Sequence, residues 1–163
     1  MNLLKLVLFF ALSLFFINCS SDKEETATDK EESATPSFTS LYNNVFGTTN
    51  CASCHQPGGQ AFDTDGVELD FSTQANAYDT LTSKNVTGAT SIGTCNGVAI
   101  VASAATNSYL AAVLYDDYAT SSFGGVASCT PYSAHRQDAN LSSLASQYKS
   151  TLIDWINAGA PNN

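Results

Sequence analysis

The sequence has little positive charge, only two histidines and a single methionine. Six lysine and arginine residues stand against fifteen aspartate and glutamate residues, so the formal net charge is −9. This balance argues against binding to nucleic acid and against direct adhesion to anionic lipid. The sequence also lacks an internal repeat, a glycine-rich phosphate-binding loop and a long basic patch. The histidines are His55 and His135, and the methionine is Met1.

The sequence also lacks an apolar stretch long enough to cross a bilayer as a helix. The N-terminal run from Leu6 to Ile17 is shorter than the roughly 20 apolar residues that a membrane-spanning helix needs, so residues 1–18 have the pattern of a secretory signal peptide. Cys19 follows at once, and the stretch FFINCSSD resembles a bacterial lipoprotein signal. The resemblance implies acylation of Cys19 and a lipid anchor; the alternatives are plain secretion and an uncleaved anchor.

Residues 19–36 contain no aromatic or large aliphatic side chain. After Cys19 they read SSDKEETATDKEESATP, which is rich in carboxylates. Such a segment cannot bury enough apolar surface to offset the entropy of ordering it. We therefore predict a disordered acidic tether that ends at residue 36, followed by one domain over residues 37–163.

The apolar residues of this domain follow the spacing of helices separated by long loops, which predicts an all-α fold. The predicted helices are 38–46, 73–81, 107–115 and 142–158, the predicted loops are 58–70, 85–106 and 117–140, and 98–101 is a brief extended piece. In the second helix Ala75, Tyr78 and Leu81 are expected to face the core. The last helix is the clearest, because Ser142 can cap its start and Gly159 stands where a helix stops.

Cys51, Cys54 and His55 form the pattern C-x-x-C-H, which is the attachment signature of a c-type haem. Two thiols one short turn apart can reach the two vinyl groups of one porphyrin. The adjacent imidazole is then directed at the iron from one face. The pattern predicts thioether bonds at both cysteines and an iron ligand at His55.

Three other uses of these residues are less compatible with their surroundings. A thioredoxin-like redox site places its two cysteines at the start of a helix after a strand, whereas an amphipathic helix precedes Cys51 here. Structural zinc needs four ligands, and Cys54 beside His55 cannot easily bind one ion together, which leaves only His135. A structural disulfide between Cys51 and Cys54 would give His55 no role.

Two further cysteines, Cys95 and Cys129, lie in different predicted loops. Outside the cytoplasm, thiols that take no part in catalysis tend to be oxidised. We therefore predict a disulfide between Cys95 and Cys129; the alternative is two separate buried thiols. Closing a loop of this length would stabilise the domain by roughly 3 to 5 kcal/mol in the chain-entropy model.

Four stretches, FTSLYNNVF, CASCHQPGG, NSYL and WINAGAP, together resemble the small exported class I cytochrome c domains of bacteria. The resemblance covers most of residues 37–163. It implies a class I cytochrome c-like helical fold in which the first and last helices pack against each other near the haem edge. It also implies that Cys51 and Cys54 carry one covalently attached haem c and that His55 is the proximal ligand. Residues of the pocket wall or core would be Phe46, Tyr78, Leu110, Leu114, Trp155 and Ile156.

The second axial ligand departs from the pattern of this family, which usually supplies a methionine shortly before the last helix. Met1 cannot serve in the mature chain. His135 lies six residues before Leu141, near the expected position of that methionine. We predict His135 as the distal ligand; the alternative is a solvated surface histidine and an iron that is five-coordinate or bound to water. Two imidazoles lower the reduction potential relative to histidine–methionine ligation.

The function that these features predict is single-electron transfer by a monohaem cytochrome rather than enzymatic catalysis. The expected location is the bacterial cell envelope, on the periplasmic or outer-membrane side, with a membrane anchor through the lipid on Cys19. Redox proteins of the envelope that present positive charge are the expected partners, and nucleic acid is not. Two other functions remain open: a haem-based sensor of a small gas or peroxide, and a disulfide-stabilised binding lipoprotein without haem.

Overall fold

The structure is a computed structural model that describes residues 36–64, 68–87, 95–119 and 129–163. The predicted signal peptide, the acylation site at Cys19 and the tether lie outside these residues, apart from Pro36. Within the described ranges, no helix combines the length and apolar character needed to cross a membrane.

Short helices make up the described domain, and the described residues form no β-strand. The helices are α1 (Phe38–Leu41), α2 (Thr49–Ala52), α3 (Gln60–Thr64), α4 (Gln74–Ser83), α5 (Tyr109–Leu114), α6 (Ala134–Gln137), α7 (Ala139–Gln147) and α8 (Lys149–Asn157). A π-helical turn spans Tyr42–Phe46, and 3-10 turns span Ala105–Asn107 and Asp116–Tyr118. The all-α prediction is therefore confirmed for the part of the chain that the structure describes.

The first predicted helix, 38–46, forms as α1 followed directly by the π-helical turn. The backbone amide of Gly47 closes this turn by donating to the carbonyl of Tyr42 over 2.8 Å. A π-helical turn contains one more residue than an α-turn and often occurs next to functional sites. Here it carries Val45 and Phe46, both of which are buried.

The second predicted helix is present as α4, two residues longer at its C-terminus than expected. Thr73 caps it, since its hydroxyl accepts a hydrogen bond from the amide of Asn76 over 3.2 Å. The inward placement of Ala75 is wrong, because Ala75 is exposed. The buried stripe instead runs through Ala77 and Leu81, whose four-residue spacing places them on one face.

The third predicted helix, 107–115, is present in part as α5. The predicted extended piece at 98–101 forms one antiparallel bridge, between Asn85 and Ala99, rather than a strand. Its hydrogen bonds include the amide of Val86 donating to the carbonyl of Val98 over 2.8 Å.

The last predicted helix, 142–158, is interrupted and begins earlier than expected. Tyr148, with φ −105° and ψ 13°, separates α7 from α8. The cap is Asp138 rather than Ser142, because the Asp138 carboxylate accepts from the amides of Asn140 and Leu141. Since one carboxylate satisfies two of the amides that a helix start leaves unpaired, the helix begins at Ala139, three residues before Ser142.

Two of the predicted loops contain helices. Helix α3 lies within 58–70, and α6, which carries His135, lies within 117–140. His135 is therefore a helical residue and not the loop residue that we predicted. Helices of four or five residues are too short to produce a recognisable apolar period, so sequence spacing cannot reveal them.

Aromatic side chains join the first and last helices of the domain. The rings of Phe38 and Trp155 are both fully buried, and their centroids lie 5.2 Å apart. The Trp155 indole Nε1–H donates to the carbonyl of Pro161 over 2.9 Å, and the Tyr78 hydroxyl donates to that of Ala160 over 3.0 Å. These bonds allow polar aromatic atoms to lie in the core without losing hydrogen bonds.

The predicted disulfide between Cys95 and Cys129 is present, and both residues are buried. It closes a loop over a sequence separation of 34 residues. In the chain-entropy model a loop of this length contributes about 4 kcal/mol to the free energy of unfolding. The bond also ties the segment that leads into α6 to the residues just before Ala99, one partner of the Asn85–Ala99 bridge.

Asn163 caps the N-terminus of α1 from the opposite end of the domain. Ser37, the residue before α1, makes no side-chain cap. Instead, Asn163 Oδ1 accepts from the amide of Phe38 over 3.0 Å, and the main-chain oxygen of Asn163 accepts from the amide of Thr39 over 3.1 Å. Two amides that a helix start leaves without intrahelical partners are thereby satisfied.

Asn163→Ala is expected to lower the free energy of unfolding by about 1 kcal/mol, because it removes a helix-capping acceptor. Asn163→Asp keeps the acceptor and adds favourable negative charge at a helix N-terminus, so it should not lower the free energy of unfolding. Urea denaturation measures both variants, with the exposed neighbour Asn162→Ala as the control. Equal losses at positions 162 and 163 would contradict the capping role.

Candidate functional site

A largely apolar cleft with about 950 Å³ of empty space, part of it open to solvent, lies beside the core. The cleft is lined by Cys51, Cys54, His55 and His135, the four residues predicted to hold a haem. The apolar wall includes Val45, Phe46, Phe71, Ile100, Leu110 and Val113. The structure therefore brings the four predicted residues to one cavity.

Helix α2 and the turn after it place the two thiols and the first imidazole. Cys51 lies within α2, and its carbonyl accepts from the amides of Cys54 and His55 over 3.2 and 3.0 Å. These two bonds fold residues 51–55 into one compact turn. As a result, all three side chains line the cleft.

The Cys51 thiol does not have the character of a redox-active cysteine. Burial raises the pKa of the Cys51 thiol to about 11, despite a hydrogen bond to Thr48 that acts in the opposite direction. A redox-active Cys-x-x-Cys site requires the reverse, a thiol whose pKa is lowered. Cys51 and Cys54 are also not bonded to each other. The structure thus favours neither the thioredoxin-like interpretation nor a structural disulfide at this position.

The turn after His55 depends on Gly59. The carbonyl of Cys54 accepts from the amides of Ala61 and Phe62 over 3.1 and 3.2 Å, which brings α3 back against the thiol segment. A Cβ atom at Gly59 would overlap the Cys54 carbonyl oxygen, which is backbone and cannot move aside alone. At Gly58, by contrast, an added Cβ meets no atom within 4 Å, although its φ of +83° favours glycine.

Gly59→Ala should therefore destabilise the protein more than Gly58→Ala. We expect the free energy of unfolding to fall by about 1 to 2 kcal/mol for Gly58→Ala, because of its left-handed backbone, and by about 3 kcal/mol or more for Gly59→Ala, because of the backbone overlap. Urea denaturation of the two variants provides the comparison. A smaller loss at Gly59 than at Gly58 would show that the close approach to Cys54 does not constrain the turn.

His55 and His135 face the same cleft from segments far apart in sequence. Their ring centroids lie 6.0 Å apart, with the ring planes 20° from parallel, and the Nδ1 atom of each ring is buried. On the His55 side, the amide of Phe71 donates to the His55 carbonyl over 2.6 Å, and the two rings lie 5.1 Å apart. On the other side, the ring of Tyr132 lies 5.5 Å from that of His135.

The distance between the imidazoles is suited to holding one metal ion between them. Imidazole nitrogens bind metals at about 2 Å, so two rings on opposite sides of one ion have centroids about 6 Å apart. The 6.0 Å separation between the ring centroids of His55 and His135 is close to this value. Among the described residues, no group of three or more histidine, cysteine, aspartate or glutamate side chains has the arrangement of a metal site. Two imidazoles alone suit an ion whose remaining ligands come from a macrocycle, as in haem.

The residues expected to form pocket wall or core divide between those two roles. Phe46, Leu110 and Leu114 line the cleft. Trp155 and Ile156 are buried in the core, and the partly buried Tyr78 packs against it.

Several cleft residues were not predicted. They are Val45, Asn50, Ala61, Leu69, Phe71, Ile100, Tyr109, Val113, Tyr132 and Leu141. Val45 and Val113 belonged to predicted apolar stripes, but nothing in a stripe distinguishes a cavity wall from ordinary core. Phe71 and Ile100 come from irregular segments whose positions depend on tertiary contacts, so no local signal identifies them.

Comparison of the chain with protein-family models, with curated proteins and with solved structures finds no match in any of the three. The interpretation of the cleft therefore depends on its own residues and geometry.

Proposed function

We propose that this protein is a monohaem c-type cytochrome that transfers single electrons. Cys51 and Cys54 would hold the haem through thioether bonds, and His55 and His135 would be its axial ligands. The domain would be related to the class I cytochromes c, as the four motifs suggest. When bound, the haem supplies an iron that alternates between the ferric and ferrous states.

The observation that carries this proposal is the approach of His55 and His135 to 6.0 Å within a cleft that both thiols also line. The C-x-x-C-H motif alone accounts for Cys51, Cys54 and His55. The motif does not require His135, which lies 80 residues further along the chain, to be near His55. In the structure His135 nevertheless lies at the distance expected of a second axial ligand. That coincidence favours haem ligation over a surface role for His135.

The cleft itself also supports the proposal. Cofactor pockets are concave and mostly apolar, and the cleft has both properties because apolar side chains form most of its lining. Apolar walls such as Phe46, Phe71 and Leu110 would exclude water from the iron. The partial opening to solvent would leave one edge of the cofactor accessible to a redox partner.

The charge of the chain indicates the kind of partner. With a net charge of −9, the protein would associate most rapidly with a redox protein that presents a positive face. We further propose that the domain is held at a membrane of the bacterial cell envelope through a lipid on Cys19.

The lipid anchor predicts the mass of the mature N-terminus. Two or three acyl chains on Cys19 would hold the protein stably on a membrane, since each buried methylene contributes about 0.8 kcal/mol. Mass spectrometry should find an acylated Cys19 as the first residue, and Cys19→Ala should release the protein from membranes. A mature chain that starts elsewhere without lipid would refute the anchor.

The ligands can be tested by optical spectroscopy of protein produced together with haem-attachment machinery. The wild type should carry one covalent haem and show a six-coordinate, low-spin spectrum, because both axial positions are occupied by imidazole. His135→Ala should become high-spin and should bind carbon monoxide in its ferrous form. Gln137→Ala is the matched control, because it changes an exposed residue of the same helix. The double variant Cys51→Ala/Cys54→Ala should lose covalent haem.

Two results would contradict the proposal in different ways. Wild-type protein without covalent haem would mean that the C-x-x-C-H motif has another use, as in a binding lipoprotein. Wild-type protein with a high-spin iron that binds carbon monoxide readily would indicate a small-ligand sensor instead of an electron carrier.

A further inference from the structure

The residue after His135, Arg136, makes several polar contacts beside the cleft. The Arg136 guanidinium Nη1 donates to the carbonyls of Ala112, Val113 and Tyr132, the latter two over 3.4 and 3.1 Å. Its Nε forms an ion pair with the carboxylate of Asp116 over 2.7 Å. The Arg136 side chain is only 13% exposed, whereas that of Asp116 is 91% exposed. The arginine is therefore inserted into the protein, and the carboxylate is a partner at the surface.

Two of these acceptors lie in the last turn of α5. The final carbonyls of a helix have no intrahelical partner, and they carry the negative end of the helix dipole. A buried guanidinium is stable only where such acceptors are in place, because an unpaired buried charge is strongly unfavourable. The end of α5 therefore supplies acceptors for the Arg136 guanidinium, and the guanidinium supplies donors for carbonyls that have no partner within the helix.

Helix α5 is also a wall of the cleft, through Leu110, Val113 and Leu114. Arg136 thus joins the backbone of this wall to α6, the short helix that carries His135. A helix of four residues has almost no stability of its own, so its position and rotation depend on tertiary contacts. Fixing the Arg136 side chain on α5 fixes the direction of the neighbouring His135 side chain.

We propose that Arg136 is a positioning residue that keeps His135 on the iron, an inference that rests on the proposed haem ligation. Arg136 need not touch the haem. Its contacts with Ala112, Val113 and Tyr132 hold α6 at the place where the imidazoles of His55 and His135 lie 6.0 Å apart. Without them, His135 would dissociate from the iron more often.

Carbon monoxide binding to the ferrous protein measures this directly. Carbon monoxide reacts only with molecules from which His135 has dissociated, so its apparent association rate scales with their fraction. We expect Arg136→Gln to retain covalent haem, to gain a high-spin fraction, and to bind carbon monoxide about tenfold faster or more. Arg136→Lys should be intermediate, because an ammonium keeps the charge but cannot reproduce the planar fork of donors. Added imidazole should restore the low-spin spectrum of Arg136→Gln.

Two controls separate positioning from loss of charge. Lys149→Gln removes the same charge from an exposed pair with Asp117 and should leave the spectrum and the carbon monoxide rate unchanged. Asp116→Asn removes the exposed partner of Arg136 but keeps the carbonyl contacts. It should therefore change the rate by less than about twofold, since exposed ion pairs contribute little.

A double variant tests whether Arg136 acts through His135. In the His135→Ala background, Arg136→Gln should cause no further change in the carbon monoxide rate, because the ligand that it positions is already gone. The proposal is overturned if Arg136→Gln and Arg136→Lys both remain low-spin at the wild-type rate. It is also overturned if the effect of Arg136→Gln is equally large without His135, or if neither variant folds, which would make Arg136 a residue of general stability.

The spectrum of the wild-type protein tests the proposed haem ligation separately. Wild-type protein that lacks haem or is already high-spin overturns the proposed function, and this inference with it, before any Arg136 variant is measured.

Discussion

The proposed site depends on one spatial constraint, the approach of two imidazoles that lie far apart in sequence. His55 is fixed by the turn that follows Cys51 and by the hydrogen bond from the amide of Phe71 to its carbonyl. His135 is carried by α6, which is attached to α5 through Arg136 and follows the segment anchored by the disulfide. The segments that carry the two histidines are thus both attached to the same domain core. The 6.0 Å separation is therefore a property of the packed domain rather than of either segment alone.

The sequence predicts the residues of the site that lie close together along the chain. Cys51, Cys54 and His55 lie within one turn, so their common position in the cleft follows from the motif. The partnership with His135 was inferred from the absence of a usable methionine and from the position of His135 near where that methionine is expected, and no local pattern gives a distance across the cleft. Predicted helices with strong apolar stripes are present, whereas α6 was missed because its stability comes from tertiary contacts such as those of Arg136.

The same distinction explains the errors at helix boundaries. Ser142 is a reasonable cap in isolation, but Asp138 satisfies two amides with one carboxylate and the helix starts there. Ser37 precedes α1 as a serine cap should, yet Asn163 supplies the acceptors from the other end of the domain. Sequence rules identify residues that can cap a helix. Which of them does so depends on the path of the rest of the chain.

The attachment of α6 also bears on the choice between an electron carrier and a ligand sensor. An electron carrier works best when its iron keeps the same ligands in both oxidation states, since little rearrangement then accompanies each transfer. A sensor needs an iron position that opens. The same pair of histidines could serve either purpose, so the difference lies in how firmly the second imidazole is held. In the proposed arrangement, the buried Arg136 guanidinium would hold it through its hydrogen bonds to carbonyls of the cavity wall. Such contacts would keep the second imidazole bound in both oxidation states, as the proposed electron-transfer function requires.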